Sequence, residues 1–400
     1  MTLKIAIVVQ GRFYTFDMAK ALLARGNDVY LFTNYPRWAV SRFGFPPERV
    51  ISYWPHGIAA RLFTFLKDKL HIPDPEAWLH VNFGRWAARH VPRREWDAVY
   101  CFSGVSEELI DALRGSGSPS WLFRSSSHIR TQAELLETEE QRAGGPIDRP
   151  SAWMIQREER EYAKADVIVT LSGFAARTFN NTGHEGKVVM VPLGVDVSSF
   201  RPTADKIETR RQRILSGAKL RVLFVGTKSY RKGLLDLAHI ARTLAGRFEF
   251  RLVGPEEAQA QALLNKLGAH AELVPAMPEA QLREAYEWGD VFVFPTIEDG
   301  FAAVLTQAYA AGLPILATTN CGAPDFIRDD ETGWILPIRA PGRFVERLEW
   351  CQRSRTALAD MVTRIAHEFH PRTWDDMAGD LELLIRQRCQ QSIPVAGVQI

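Results

Sequence analysis

The stretch Asp290–Asp325 reads DVFVFPTIEDGFAAVLTQAYAAGLPILATTNCGAPD, and its alternation of element types decides the fold. Val291, Phe292, Val293 and Phe294 form an unbroken apolar run behind an acidic residue, the pattern of a parallel strand buried on both faces. Pro295 ends it. Apolar residues at helical spacing then run from Ala302 to Ala311 until Gly312 and Pro314 stop them, and Ile315 to Thr318 is the next strand. The unit is strand, loop, helix, strand, so its loop and helix N-terminus fall at the carboxyl edge of a parallel sheet, where such sheets bind ligands.

Chemistry follows from that placement. The loop Glu298, Asp299, Gly300, Phe301 feeds a helix whose first free amides and positive dipole end suit a phosphate. Asp299 and Gln307 stand eight positions apart, just over two helical turns, which would present both polar side chains to one ligand. A hydroxyl-rich ligand carrying a phosphate matches this surface.

These residues resemble the donor-binding motif of the family-4 retaining glycosyltransferases, of GT-B architecture, written E-G-F-G-x-x-x-x-E and then A-x-x-x-G-x-P-V. The matching positions are Asp299, Gly300, Phe301, Ala302, Gln307, Ala308, Gly312, Pro314 and Ile315. Asp for Glu shortens the reach by one methylene, and Gln for Glu keeps a hydrogen-bonding group without its charge. The resemblance implies an α/β chain of two Rossmann-like parallel-sheet domains facing a cleft, with a C-terminal helix crossing back to the first domain. The expected boundaries are 1–196 for an acceptor domain, 197–218 for a linker, 219–370 for a nucleotide-sugar domain and 371–390 for the returning helix.

Composition agrees with two ordinary domains: 400 residues, 46% hydrophobic and 24% charged. The formal net charge of +2 gives no argument for a nucleic-acid partner. Cys101, Cys321, Cys351 and Cys389 are scattered without a C-x-x-C pair, as expected of reduced thiols in a cytoplasmic protein. The apolar run in MTLKIAIVVQG is too short for a signal segment and reads as a first strand. With no apolar run long enough to span a bilayer, membrane contact is expected to be peripheral at most.

In the first half, Leu3–Val9, a turn at Gln10-Gly11-Arg12, a helix marked by Phe16, Ala19, Leu22 and Leu23, and the strand Asp28–Thr33 make a βαβ start. The lone Gly11 is no G-x-G-x-x-G, so a dinucleotide cofactor is not supported. The resemblance makes Gly11 a close-approach position beside the donor, with Arg12 a weaker candidate; an ordinary tight turn fits equally well. From Arg61 to Trp96 bases and aromatics mix. Such a region can lie on an anionic membrane or cradle an acceptor, and aromatics at helical spacing also suit a core. Further strands are expected at 97–102, 120–124, 166–170 and 187–191. His128 lies just beyond the second of these and matches a family site histidine, expected to hold the donor sugar through a hydrogen bond.

The segment Gly194, Val195, Asp196, Phe200, Pro202 resembles the family's G-V-D-x-x-x-F-x-P signature, although Asp196 alone also reads as a turn-former. Residues 203–218 are charged and poor in large apolar groups, the composition of a linker. A second alternating half begins at Leu220–Gly226 and runs into Thr227-Lys228-Ser229-Tyr230-Arg231-Lys232-Gly233. Lys232 and Gly233 match the family's Lys-Gly. Thr227 stands where the family has Arg, leaving Lys228 or Arg231 to supply that charge. Positioned cations there would stabilise a departing nucleoside diphosphate. Gly254 ends a strand where a nucleoside could stack, and Trp374 matches an aromatic that opens the last helix.

The resemblance therefore assigns His128, Lys232 and Asp299 to catalysis, and Gly11, Lys228, Arg231, Gly254, Gly300, Phe301, Ala302, Ala303 and Gln307 to the donor. No metal or cofactor is expected beyond the nucleotide sugar itself, because cations and a helix dipole can do the work of a D-x-D-bound ion. The acceptor is not identified by the sequence and would be a glycan, a lipid-linked acceptor or a small molecule. A nucleotide-sugar epimerase of the same architecture and a nucleotide-sugar-binding protein without turnover remain open alternatives.

Overall fold

A computed structural model describes residues 2–70 and 75–391. Residues 71–74, within the stretch where bases and aromatics mix, lie outside the described residues. The first sheet contains β1 (Lys4–Val9), β2 (Asp28–Thr33), β3 (Val50–Ser52), β4 (Ala98–Phe102), β5 (Ser120–Phe123), β6 (Val167–Thr170) and β7 (Val188–Met190). The second contains β8 (Leu220–Val225), β9 (Phe248–Val253), β10 (Glu272–Val274), β11 (Val291–Phe294), β12 (Ile315–Thr318) and β13 (Gly333–Leu336). Their spatial orders are β3-β2-β1-β4-β5-β6-β7 and β10-β9-β8-β11-β12-β13, and every described pairing is parallel.

Central strands are apolar throughout because helices cover both faces: all of Val291–Phe294 is buried, as is Ile5 through Val9. In each sheet the order reverses once, between β1 and β4 and between β8 and β11. Such reversals open crevices, and at that of the second sheet the loops after β8 and β11 meet the loop after β5 of the first domain.

The last helix, Trp374–Gln391, crosses back onto the first domain. Arg25 donates to Asp375 Oδ1 (2.9 Å) and Glu382 Oε2 (2.9 Å), and Trp374 stacks on Tyr14 at 6.1 Å. Gly194 presses against the start of this crossing, where a Cβ would lie 2.5 Å from the Thr373 carbonyl oxygen.

Most of the segment expected as a linker is helical. Residues 204–215 form a helix packed on the helix Arg355–Glu368 of the second domain. It is anchored by the fully buried Ile214 and by Arg210, also buried, which donates to the carbonyls of Ala311 (2.6 Å) and Tyr286 (3.0 Å). The strand Val50–Ser52 and the helix Ile129–Ala143 were not anticipated.

The aromatic region divides residue by residue. Phe83 and Trp96 are core, Trp86 is half-buried against Tyr53, and Trp78 is exposed. The side chains of Phe65, Lys67, Asp68 and Lys69 lie outside the described residues. The four cysteines are free thiols. Among the described residues no helix is long and apolar enough to cross a membrane.

Candidate active site

The loop after β11 is locked onto the loops after β8 and β12. Ile297 N–H donates to Arg231 O (2.9 Å), Thr296 Oγ1 to the same carbonyl (3.2 Å), and Asp299 N–H to Asn320 O (3.0 Å). Gly233 sits at φ 78°, and a Cβ there would lie 1.9 Å from Pro295 O, so only glycine permits this contact. The consequence is an ion pair between Lys232 Nζ and Asp299 Oδ2. Burial opposes ionisation of Asp299, but Lys232 and Arg231 outweigh it and hold the carboxyl below its ordinary range. Its Oδ1 accepts from Phe301 N–H (3.2 Å), just ahead of the helix Ala303–Ala310.

Glu298, next in the loop, joins the two domains. Its buried carboxylate accepts from Ser127 N–H (2.8 Å) and Gln132 Nε2 (3.1 Å) of the first domain, and from Arg231 Nε (2.9 Å) of the second. Burial raises its pKa, yet Arg231 and the Ser127 amide bring the net shift below the usual value. Arg231 also donates to Ser126 Oγ (3.0 Å), and Ser172 Oγ donates to Gly300 O (2.5 Å). Asp325 Oδ2 accepts from Gly173 N–H (2.8 Å) on the same seam. Phe301 lines an interdomain cavity of about 390 Å³ with Leu193, Tyr309, Phe326 and Phe369.

Lys232, Asp299, Arg231, Gly300 and the start of the helix Ala303–Ala310 are thus brought together. Other candidates are not. Lys228 is fully buried, its ammonium held by Val274 O (2.8 Å) and Glu256 (3.2 Å). Gly254 packs between strand ends, 2.0 Å from Gly226 O to its would-be Cβ. Gly11, at φ 101°, donates to Asn34 Oδ1 (2.8 Å) within the first domain. Arg12 lies over the Phe43 ring. Gln307 Oε1 accepts from the buried Tyr286 hydroxyl (2.9 Å). Since the chain from Asp299 to Ala302 is not helical, helical spacing does not place Asp299 and Gln307 on one side. Asp196 accepts from Ser198 N–H (3.1 Å) and Oγ (2.7 Å), the turn-forming role.

Ala302 caps the helix at φ 66°, ψ 76°, where the resembling motif carries glycine. An L-residue in this left-handed region is strained. Ala302→Gly is expected to stabilise the chain by about 1 kcal/mol, after allowing for glycine's larger unfolded-state entropy; a lowered urea midpoint would contradict the strain.

His128 caps the helix Ile129–Ala143, its Nδ1 accepting from Arg130 N–H (3.3 Å), with the ring 5.0 Å from Tyr162 and 4.9 Å from Phe179. Burial, then the Arg124 charge, pushes its pKa down to about 4. A lowered histidine pKa gives stability that is complete above the unfolded value near 6.5 and lost as pH falls from there toward 4. His128→Asn keeps a capping acceptor. Urea midpoints followed across that interval are expected to fall less steeply for the variant than for the parent.

Composition and spacing missed Glu298, since its partners lie 171 and 166 positions upstream. Phe13 was missed too: it is exposed at φ 41° in the turn after β1, stacked on Phe102 at 5.4 Å.

Residues 219–353 match the family described as glycosyl transferases group 1. The chain is 25% identical over 368 residues to D-inositol 3-phosphate glycosyltransferase of Acidothermus cellulolyticus, covering 83% of this chain and 75% of that protein. It is 31% identical over 205 residues to the GDP-mannose-dependent alpha-mannosyltransferase of Mycobacterium tuberculosis, covering 50% and 52%. The chain spans about half the length of several curated relatives it matches. Anabaena HepE, solved with UDP-glucose, superimposes with a TM-score of 0.64 at 13% identity over 96% of this chain and 100% of that one. Residues 219–353 thus match glycosyl transferases group 1, within a chain of GT-B fold.

Proposed function

We propose that this chain is a retaining glycosyltransferase, moving a glycosyl unit from a nucleoside-diphosphate sugar to a hydroxyl of a sugar or lipid-linked acceptor. The observation that carries this reading is the Lys232–Asp299 pair at the N-terminus of the helix Ala303–Ala310, at the second sheet's switch point and beside the seam with the loops after β5 and β6 of the first domain. An anionic diphosphate entering there competes with Asp299 for the Lys232 ammonium. Asp299, already ionised, is then released to accept from donor-sugar hydroxyls.

In the proposed step the anomeric carbon–oxygen bond to the diphosphate breaks with both electrons leaving on oxygen. The acceptor hydroxyl attacks the same face, and its proton passes to the departing phosphate oxygen. No protein base is required. Lys232, Arg231 and the first-turn amides stabilise the charge that develops on the leaving group, which is the work a metal ion does elsewhere. Lys228 and His128 lie outside this scheme, since the one is held by Glu256 and the other is packed as a helix cap.

The relatives' names point to different donors, GDP-mannose for one and UDP-glucose for another. A panel of nucleotide sugars incubated with the protein, with and without cell extract and with chelator, tests the reading. Diphosphate release that rises with extract and survives chelation supports it. Binding without release would favour a non-catalytic nucleotide-sugar binder, whereas conversion of donor sugar without extract would favour an epimerase.

A further inference from the structure

The helix Trp54–Leu70 turns an apolar stripe outward. Trp54, Ile58 and Leu62 follow one another at i, i+4 and i+8, and each is more than half exposed. A helix of a globular domain ordinarily points such a stripe at the core. Trp38, equally exposed, stands across from it, and the two elements frame a groove of about 800 Å³ lined by Pro36, Arg37, Trp38, Trp54, Ile58 and Arg61, with Ser52 at its floor. Arg42 lies over the Trp38 ring at 4.8 Å and Arg61 faces the Tyr35 ring at 5.7 Å. None of the groove-lining residues carries a carboxylate.

Position adds to composition. Pro36–Trp38 follow the carboxyl end of β2, and Ser52–Trp54 close β3. The stripe thus stands on the edge of the first sheet that faces the cleft, tied to the turn after β1 by the Gly11–Asn34 hydrogen bond (2.8 Å).

We propose that this face docks on an anionic phospholipid bilayer, with Trp54, Ile58, Leu62 and Trp38 entering the headgroup–acyl boundary and Arg37, Arg42 and Arg61 meeting lipid phosphates. Ile58 and Leu62 decide against a glycan platform, because aliphatic side chains offer a sugar ring no stacking face while they partition readily into hydrocarbon. Tryptophans beside arginines suit the interface itself, where an amphipathic ring and a phosphate partner are both satisfied. The proposal is independent of the donor chemistry.

The test is sedimentation of the full chain with vesicles of phosphatidylglycerol and phosphatidylcholine, against vesicles of phosphatidylcholine alone, at low and high salt. The wild-type chain is expected to pellet with the anionic vesicles and to be released by salt. Ile58→Ser with Leu62→Ser should weaken partitioning by at least about tenfold. Arg42→Glu with Arg61→Glu should weaken it by at least about fivefold per site. All four positions are exposed, so melting temperature and nucleotide binding should stay at the wild-type level and exclude misfolding. Absence of anionic-vesicle binding, or binding by the variants equal to wild type, overturns the proposal. So does a wild-type dimer that the Ile58 and Leu62 changes dissociate without any lipid binding, or a soluble oligosaccharide that binds this face while vesicles do not.

Discussion

Lys232→Ala is expected to lower diphosphate release from the productive nucleotide sugar by about 10²- to 10³-fold, the loss typical of removing one preorganised charge from a developing oxyanion. The ammonium sits half in one loop's chemistry and half in another's: it is held on the turn closed by Gly233 and paired with Asp299 across the switch point. Its removal also strands a largely covered carboxylate, 17% exposed. Asp299 owes its lowered pKa to Lys232 first among the groups that oppose its burial. Breaking a fully buried pair from one side destabilises by about 3 kcal/mol or more; this pair keeps contact with water and should lose less, and part of any activity loss would come from that. Pairing the change with Asp299→Asn removes the stranded charge. The double variant Lys232→Ala, Asp299→Asn should recover most of the lost melting temperature and none of the turnover. Turnover that returns together with stability would show Lys232 to be structural only, and a single variant that works at the wild-type rate would remove it from the mechanism.

How far such a site can be read from sequence depends on whether its signal is local. Val291–Phe294 announces a buried strand because every residue meets a covered face, and Asp299-Gly300-Phe301 follows within one turn of it. Glu298 announces nothing, since an acidic loop residue looks solvated until Ser127 and Gln132 are folded against it. Lys228 and Arg231 have the same charge three positions apart. Only the register of β8 beside β9, with β10 beyond it, buries the first beneath Val274 O and leaves the second free to reach Glu298. The packing of residues 204–215 on the second domain was not legible, because beside the single buried Ile214 it rests on Arg210, and hydrogen bonds to helix-end carbonyls have no hydrophobic signature. The stripe Trp54, Ile58, Leu62 has helical periodicity that cannot say which way it faces.

Gly300→Ala is expected to open the seam while leaving the second domain intact. Gly300 has no left-handed φ, so alanine adds no backbone strain of its own. What forbids the methyl is the other domain: a Cβ would lie 1.9 Å from Ser125 O and 2.8 Å from Ser126 Cα, both backbone atoms that cannot swing aside. The least costly relief is separation of the domains at this point. Separation breaks the Ser172–Gly300 hydrogen bond, withdraws Ser127 N–H and Gln132 from Glu298, and parts Arg231 from Ser126. Arg231 and Glu298 remain paired within the second domain, so the diphosphate end of the donor site survives. Nucleoside diphosphate should therefore bind Gly300→Ala nearly as tightly as wild type, whereas turnover, which in the proposed scheme needs the first domain closed over the second, should fall by about two orders of magnitude. Small-angle scattering should show a larger radius of gyration, and the Ser127 amide should lose hydrogen-exchange protection. Unchanged scattering and turnover would mean that the contact at Ser125 yields without consequence, and loss of diphosphate binding together with turnover would mean that Gly300 serves the donor loop itself.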